Sequence, residues 1–127
     1  MKLAINLPLL VFYQALGEAY ALCRHLDLDR AAMMDLFADS SGGPNLLRVR
    51  GPVIAAALSG DTSAPPTFDV DSIRKDLRTM IAEGEARGVD LPIVRQALAV
   101  YDRASEAGWG KRDGSSLPAF WSSKDHP

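Results

Sequence analysis

Apolar residues recur at three- and four-residue steps from Leu3 to Leu26, through Leu9, Phe12, Leu16, Ala19/Tyr20, Cys23 and Leu26. This is the period of a helix packed on a core. Between Leu7 and Tyr13 the apolar character runs almost all the way round. Such a helix needs cover on more than one side, from its own domain and from a surface outside it. Pro8 has no backbone donor, so the sequence predicts either a kink or a first turn there, with Lys2 to Leu7 on a differently aimed segment.

The pattern repeats in shorter units. Asp27 or Asp29 caps a second helix through Met33, Leu36 and Phe37, ended by Ser40-Ser41-Gly42-Gly43. Pro44 restarts the chain into a third helix, which Gly51-Pro52 cuts before Val53 to Leu58 resumes it. Residues 60–66 have loop composition. Asp69 or Asp71 caps a fourth helix with Ile73, Leu77, Met80/Ile81 and Gly84 on one face, and Gly88 stops it. Asp90-Leu91-Pro92 opens a fifth, with Val94, Ala97/Leu98, Tyr101 and Ala104 inward, until Gly108. A short helix through Leu117 and Phe120-Trp121 follows Asp113, and Ser122 to Pro127 reads as a frayed tail. No segment shows sustained period-two alternation and no internal repeat stands out, so the fold class is all-α.

Composition adds exclusions. At 127 residues, 47% hydrophobic and 24% charged, the chain is an ordinary single domain. A net charge of -2 offers no basic footprint for a phosphate backbone, so no nucleic-acid partner is expected. Cys23 is the single cysteine, which rules out an internal disulfide or a Cys-based zinc site and suits a reducing, cytoplasmic setting. The opening apolar run is broken by Asn6 and Pro8 without a small-residue cleavage site. Its uncharged stretch, Leu3 to Gly17, falls short of the ~20 residues that span a bilayer, so a buried helix is expected and no membrane.

Candidate chemistry is sparse. Gly108-Trp109-Gly110 trails a helix, where a nucleotide loop precedes one. His25 and His126 have no ligand-type neighbours at metal spacing, so no metal is expected. Cys23 and Met33-Met34 read as core. Lys2 and Asn6, four residues apart, share a helical face, read either as a solvated first turn or as two polar groups converging at the rim of a buried surface. Lys75-Asp76 taken alone is a surface charge pair.

In order and spacing, these segments resemble the C-terminal domain of the beta-hydroxyacid dehydrogenases, the family of 3-hydroxyisobutyrate dehydrogenase and 6-phosphogluconate dehydrogenase. Lys2-Leu3-Ala4-Ile5-Asn6 resembles its Lys-x-x-Asn-Asn helix start, and Ala15 to Ala19 its Ala-x-x-Glu-Ala stretch. Asp39-Ser40-Ser41-Gly42 resembles its small-residue turn, Phe68 to Lys75-Asp76-Leu77 its Phe-x(n)-Lys-Asp-Leu motif, and Gly88 to Pro92 its Gly-x-x-Leu-Pro turn. Tyr101 to Asp113-Gly114-Ser115 is similar to its Tyr-x-x-Ala-x-x-x-Gly-x-Gly-x-x-Asp ending. Two departures stand out: Ile5 replaces the first asparagine of the pair, and Pro8 follows Asn6 by two residues.

The resemblance implies a bundle of five to six helices like the C-terminal domain of 6-phosphogluconate dehydrogenase. Residues 1–121 would be the helical substrate and dimerisation domain and 122–127 a flexible tail. It also implies hydride transfer between NAD or NADP and a small beta-hydroxy acid, with Lys2 as acid/base, Asn6 on the substrate and Lys75 near the cofactor. A lysine in that role needs its pKa brought from ~10.4 toward ~7–8. In the family a Rossmann domain precedes the lysine. It is absent from this chain, so the dinucleotide is expected to bind mainly there and the isolated chain to be inactive, with Met1 the edge of a longer polypeptide or a truncated reading frame. A homodimer or higher homo-oligomer is expected. The alternative from another class is a non-catalytic helical dimerisation module derived from the same family.

Overall fold

A computed structural model describes residues 2–126. Met1 and Pro127, on which the reading of a chain boundary and the last residue of the tail fall, lie outside the described residues. The chain is all-helical, with α1 Lys2–Cys23, α2 Arg30–Asp39, α3 Leu46–Leu58, α4 Val70–Ala86, α5 Pro92–Ala104 and α6 Leu117–Phe120. Among the described residues extended pairing is confined to one antiparallel bridge, Asp69 with Asp113.

α1 is the central rod, and it corrects two expectations. It runs unbroken through Pro8, so Lys2 and Asn6 belong to the same helix as Tyr20. The donor that Pro8 lacks would have met the carbonyl of Ala4, and both residues lie on the exposed side. Its inward face is Leu10, Tyr13, Gln14, Leu16, Gly17 and Tyr20, rotated from the predicted stripe. Leu9, Phe12 and Cys23 are half-buried and Leu26 is exposed. When apolar residues surround a helix, periodicity cannot choose the face. Two contacts with the C-terminal segment choose it instead. Gln14 Nε2 donates to the Ala97 carbonyl at 3.1 Å, and its Oε1 accepts from Trp121 Nε1 at 2.6 Å. Gly17 lies under the same indole, where an added Cβ would come within 2.2 Å of Trp121 Cδ1.

α2 is capped by Asp29, whose carboxylate accepts from the Ala32 amide at 3.0 Å. It buries Met33, Met34 and Ala38, whereas Leu36, expected inside, is 65% exposed. α3 continues across Gly51-Pro52, contrary to the break expected there. Pro52 is exposed, as is Arg48, the residue whose carbonyl loses its partner, while Gly51 faces Met34. α4 and α5 match their predicted faces, burying Ile73, Leu77, Met80 and Gly84 on one and Val94, Ala97, Tyr101 and Ala104 on the other. Asp69 caps α4 through the Ser72 amide at 2.8 Å. Gly88 and Gly108, at φ 71° and 95°, end the paired helices in a conformation that side chains with a Cβ resist.

The expected frayed tail is docked through His126. Arg24 Nη1 donates to the Ser122 carbonyl at 2.9 Å, Trp109 Nε1 donates to Asp125 Oδ2 at 2.9 Å, and the His126 ring lies 4.5 Å from that of Trp121. No helix among the described residues is long and apolar enough to cross a membrane.

Candidate functional site

Lys2 and Asn6 occupy the first two turns of α1, and helical spacing continues their stripe through Leu9 and Tyr13. Lys2 is exposed and Asn6 half-buried. α1 and α4 run antiparallel: Leu3, Ala4 and Leu7 share a groove with Met80, Glu83 and Gly84, while Tyr13 and Ile73 both border Gly114. Lys2 therefore stands beside the end of α4. Lys75 is exposed nine residues before Gly84, which is about 14 Å along the helix axis. The fold thus brings Lys2 and Asn6 together and sets Lys75 at the other end of the same helix pair.

Farther along the α1 stripe lies a cavity of about 230 Å³. Leu9, Leu46 and Phe68 form its apolar wall, and Tyr13, Arg50 and Thr67 its polar edge. Burial pushes the Tyr13 phenol above its ordinary value against the pull of the Arg50 cation, so it stays protonated at neutral pH and can offer a hydrogen bond.

One carboxylate, which sequence reading treats only as the end of a motif, builds this cavity. Asp113 accepts six hydrogen bonds: Oδ1 from the Thr67 and Phe68 amides and the Thr67 hydroxyl, Oδ2 from Arg50 Nη2 and from the Ser115 amide and hydroxyl. Its contact with Arg50 is 2.8 Å. The burial of Asp113 would raise its pKa, but hydrogen bonds from Ser115, Phe68 and Thr67 outweigh it and hold the carboxyl far below the ordinary range. Backbone pairing reinforces the same seam: Val70 N donates to Arg112 O and Gly114 N to Phe68 O, both at 2.9 Å. Asp113 is a positioning residue, which presses Phe68 and Arg50 against the α1 stripe. Its signal in the sequence is the Asp-Gly-Ser-Ser run, which shows a local cap but not the distant partners.

A second polar cluster ties α4 to α5. Asp71 Oδ1 accepts from the Ser105 hydroxyl at 2.6 Å and from Arg74 Nη1 at 3.0 Å, while Arg74 Nε reaches Asp102 at 2.7 Å. The Ser105 hydroxyl, ahead of the two cations, lowers the Asp71 pKa. Every group in this cluster has a partner, so it holds the bundle together and leaves nothing free for a ligand. Among the described residues no group of three or more His, Cys, Asp or Glu side chains converges as a metal site would require.

Leu9 and Phe68 offer an apolar wall, with the Tyr13 phenol and the Arg50 guanidinium at its edge and Asn6 one turn before Leu9 on α1. The described residues contain no glycine-rich turn feeding a helix N-terminus, the usual seat of a pyrophosphate.

Comparison with known proteins identifies the family. A family model described as NAD-binding of NADP-dependent 3-hydroxyisobutyrate dehydrogenase matches residues 1–121. Glyoxylate/succinic semialdehyde reductase 1 of Arabidopsis thaliana is 24% identical over 117 residues, covering 92% of this chain and 39% of the relative. L-threonate dehydrogenase of Escherichia coli (strain K12) is 28% identical over 106 residues, 84% of this chain and 33% of the relative. The chain thus spans between a third and two-fifths of these relatives. The family's description attaches dinucleotide binding to the helical unit itself, whereas the sequence reading expects it chiefly of a preceding Rossmann domain. Helical throughout and matched over residues 1–121, the chain belongs to the NAD-binding domain family of NADP-dependent 3-hydroxyisobutyrate dehydrogenase.

Proposed function

We propose that this domain is the C-terminal catalytic and dimerisation half of an NAD(P)-dependent dehydrogenase acting on a small beta-hydroxy acid. The observation that carries the reading is the Lys2–Asn6 stripe running into the Leu9–Phe68 cavity, with polar groups kept free at one end and an apolar wall at the other. When bound, the dinucleotide supplies the hydride acceptor or donor. In the oxidative direction Lys2 Nζ takes the substrate's hydroxyl proton as the carbonyl forms, and in reduction it returns that proton. Asn6 hydrogen-bonds the substrate and keeps it in line with Lys2. Lys75 lies toward the cofactor, where its cation meets negative charge. A preceding Rossmann domain would close over the exposed Lys2, exclude water and bring its pKa toward working range.

Dimerisation belongs to the same reading. Ile5, Leu22, Leu36, Val49 and Ile93 are each more than 60% exposed, apolar side chains that a second copy would cover. The test is an assay of the full-length polypeptide with NAD and with NADP across a panel of small hydroxy acids. Reduction of one dinucleotide by at least one beta-hydroxy acid is expected, and no turnover with any pairing would contradict the reading.

A further inference from the structure

The far end of α1 carries a second concave site that the dehydrogenase reading does not use. α1 is 22 residues long, so this site lies about 33 Å from Lys2. It is a pocket of about 610 Å³ where α1 turns into α2, closed by the C-terminal segment. Arg24, His25, Arg30 and Arg112 line it with Ser122 and Ser123, and no lining residue is acidic.

Two observations set these cations apart from most of the chain's arginines. Arg48, Arg50, Arg74, Arg78, Arg87 and Arg95 all pair with carboxylates. Among the described residues no carboxylate lies within ion-pair distance of Arg24, Arg30 or Arg112, in a chain whose net charge is -2. Moreover, Arg30 Nε and the Ser122 hydroxyl are shut off from solvent without a hydrogen-bond partner among the described residues. A buried donor without an acceptor is costly and calls for a ligand or an ion to satisfy it. Two of the other cations are already oriented. Arg112 lies with its guanidinium 3.9 Å from the Trp109 ring centre, leaving its edge to donate. Arg24 is anchored by one nitrogen on the Ser122 carbonyl.

We propose that this pocket binds a small phosphate-bearing anion with at least two charged groups, such as a diphosphate. Forked guanidinium donors match phosphate oxygens, and three arginines balance more charge than one orthophosphate carries. The proposal does not rest on the dehydrogenase reading, since it concerns the opposite end of α1.

Inorganic pyrophosphate is the probe, titrated into the 127-residue chain by calorimetry at fixed ionic strength and followed in parallel by tryptophan emission, to which Trp109 in the pocket lining contributes alongside Trp121. Saturable one-to-one binding is expected, weakened at least about tenfold by Arg24→Gln and by Arg30→Gln, the loss of one charge-assisted hydrogen bond. Arg87→Gln removes an equal charge from a distant surface pair and should change affinity less than about twofold. Circular dichroism verifies that each variant keeps its helices. Absence of saturable binding would overturn the proposal, as would equal loss from Arg87→Gln, which would mean general charge attraction only. Citrate binding as tightly as pyrophosphate would overturn the assignment to phosphate.

Discussion

The two ends of the seam between α1 and the rest of the bundle are built on opposite principles. Around Asp113 the carboxylate is saturated: six donors converge on it, drawn from three separate stretches of chain. At the start of α1, Lys2 is exposed and Asn6 half-buried, and among the described residues no hydrogen bond or ion pair ties either side chain down. Saturated networks fix a shape, while polar groups left free beside an apolar wall are available to a ligand. The contrast separates structural from chemical residues on physical grounds, and mutation should move different observables at each end.

The largest effect on stability is expected at the saturated end. Asp113→Asn keeps the side chain's shape but removes the charge that six donors share, leaving Arg50 without its partner. We expect a loss of about 3 kcal/mol, and a fall in Tm on the order of 10 °C by calorimetry. Next comes Gly17→Ala, whose Cβ must displace the Trp121 indole and with it the bond to Gln14. Overpacking of this kind costs about 1–3 kcal/mol, readable as a lower midpoint in urea.

Acid should reach the saturated end specifically. The folded-state pKa of Asp113 lies below its unfolded value near ~3.9, so its stabilising contribution is complete above that value and is lost as pH falls below about 4 toward the folded value. Asp113→Asn should therefore flatten the stability profile below about pH 4, and an unchanged slope would remove Asp113 from the account. The smallest effect is expected at Lys75. On the full-length polypeptide Lys75→Ala should raise KM for the dinucleotide with a lesser change in kcat, and leave Tm within about 1 °C, because exposed charges contribute under ~0.5 kcal/mol.

The same contrast explains what the sequence reveals. α4 and α5 are legible because each has one wet face, so Ile73, Leu77, Met80 and Val94, Ala97, Tyr101 stand out by period. α1 announces itself as a helix but hides its orientation. Its inward face is decided by Gln14 and Gly17, a polar residue and a glycine, through contacts with a tryptophan more than a hundred positions away. The prolines mislead for a related reason. The lost hydrogen bond costs least where the orphaned carbonyl can meet water, and both Ala4 and Arg48 are exposed. Asp113 is visible as a cap for Ser115, yet its bonds to Phe68, Thr67 and Arg50 span 45, 46 and 63 residues. The docking of residues 122–126 depends likewise on Trp109 and Arg24, which no local pattern connects to the tail. Lys2, Asn6 and Lys75 are legible only as motif positions, because free polar groups on a helix surface look alike until the wall beside them is known.

The central claim is that Lys2 serves chemistry and not the fold, and Lys2→Ala in the full-length polypeptide tests it most directly. Steady-state kinetics across pH with the preferred hydroxy acid should show kcat reduced at least ~10²-fold, the scale of a positioned proton-transfer group, with dinucleotide affinity nearly unchanged. Thermal unfolding of the same sample should move by less than about 1 °C. Wild-type kcat in that variant would contradict the account and leave a helical dimerisation module as the better description of this domain.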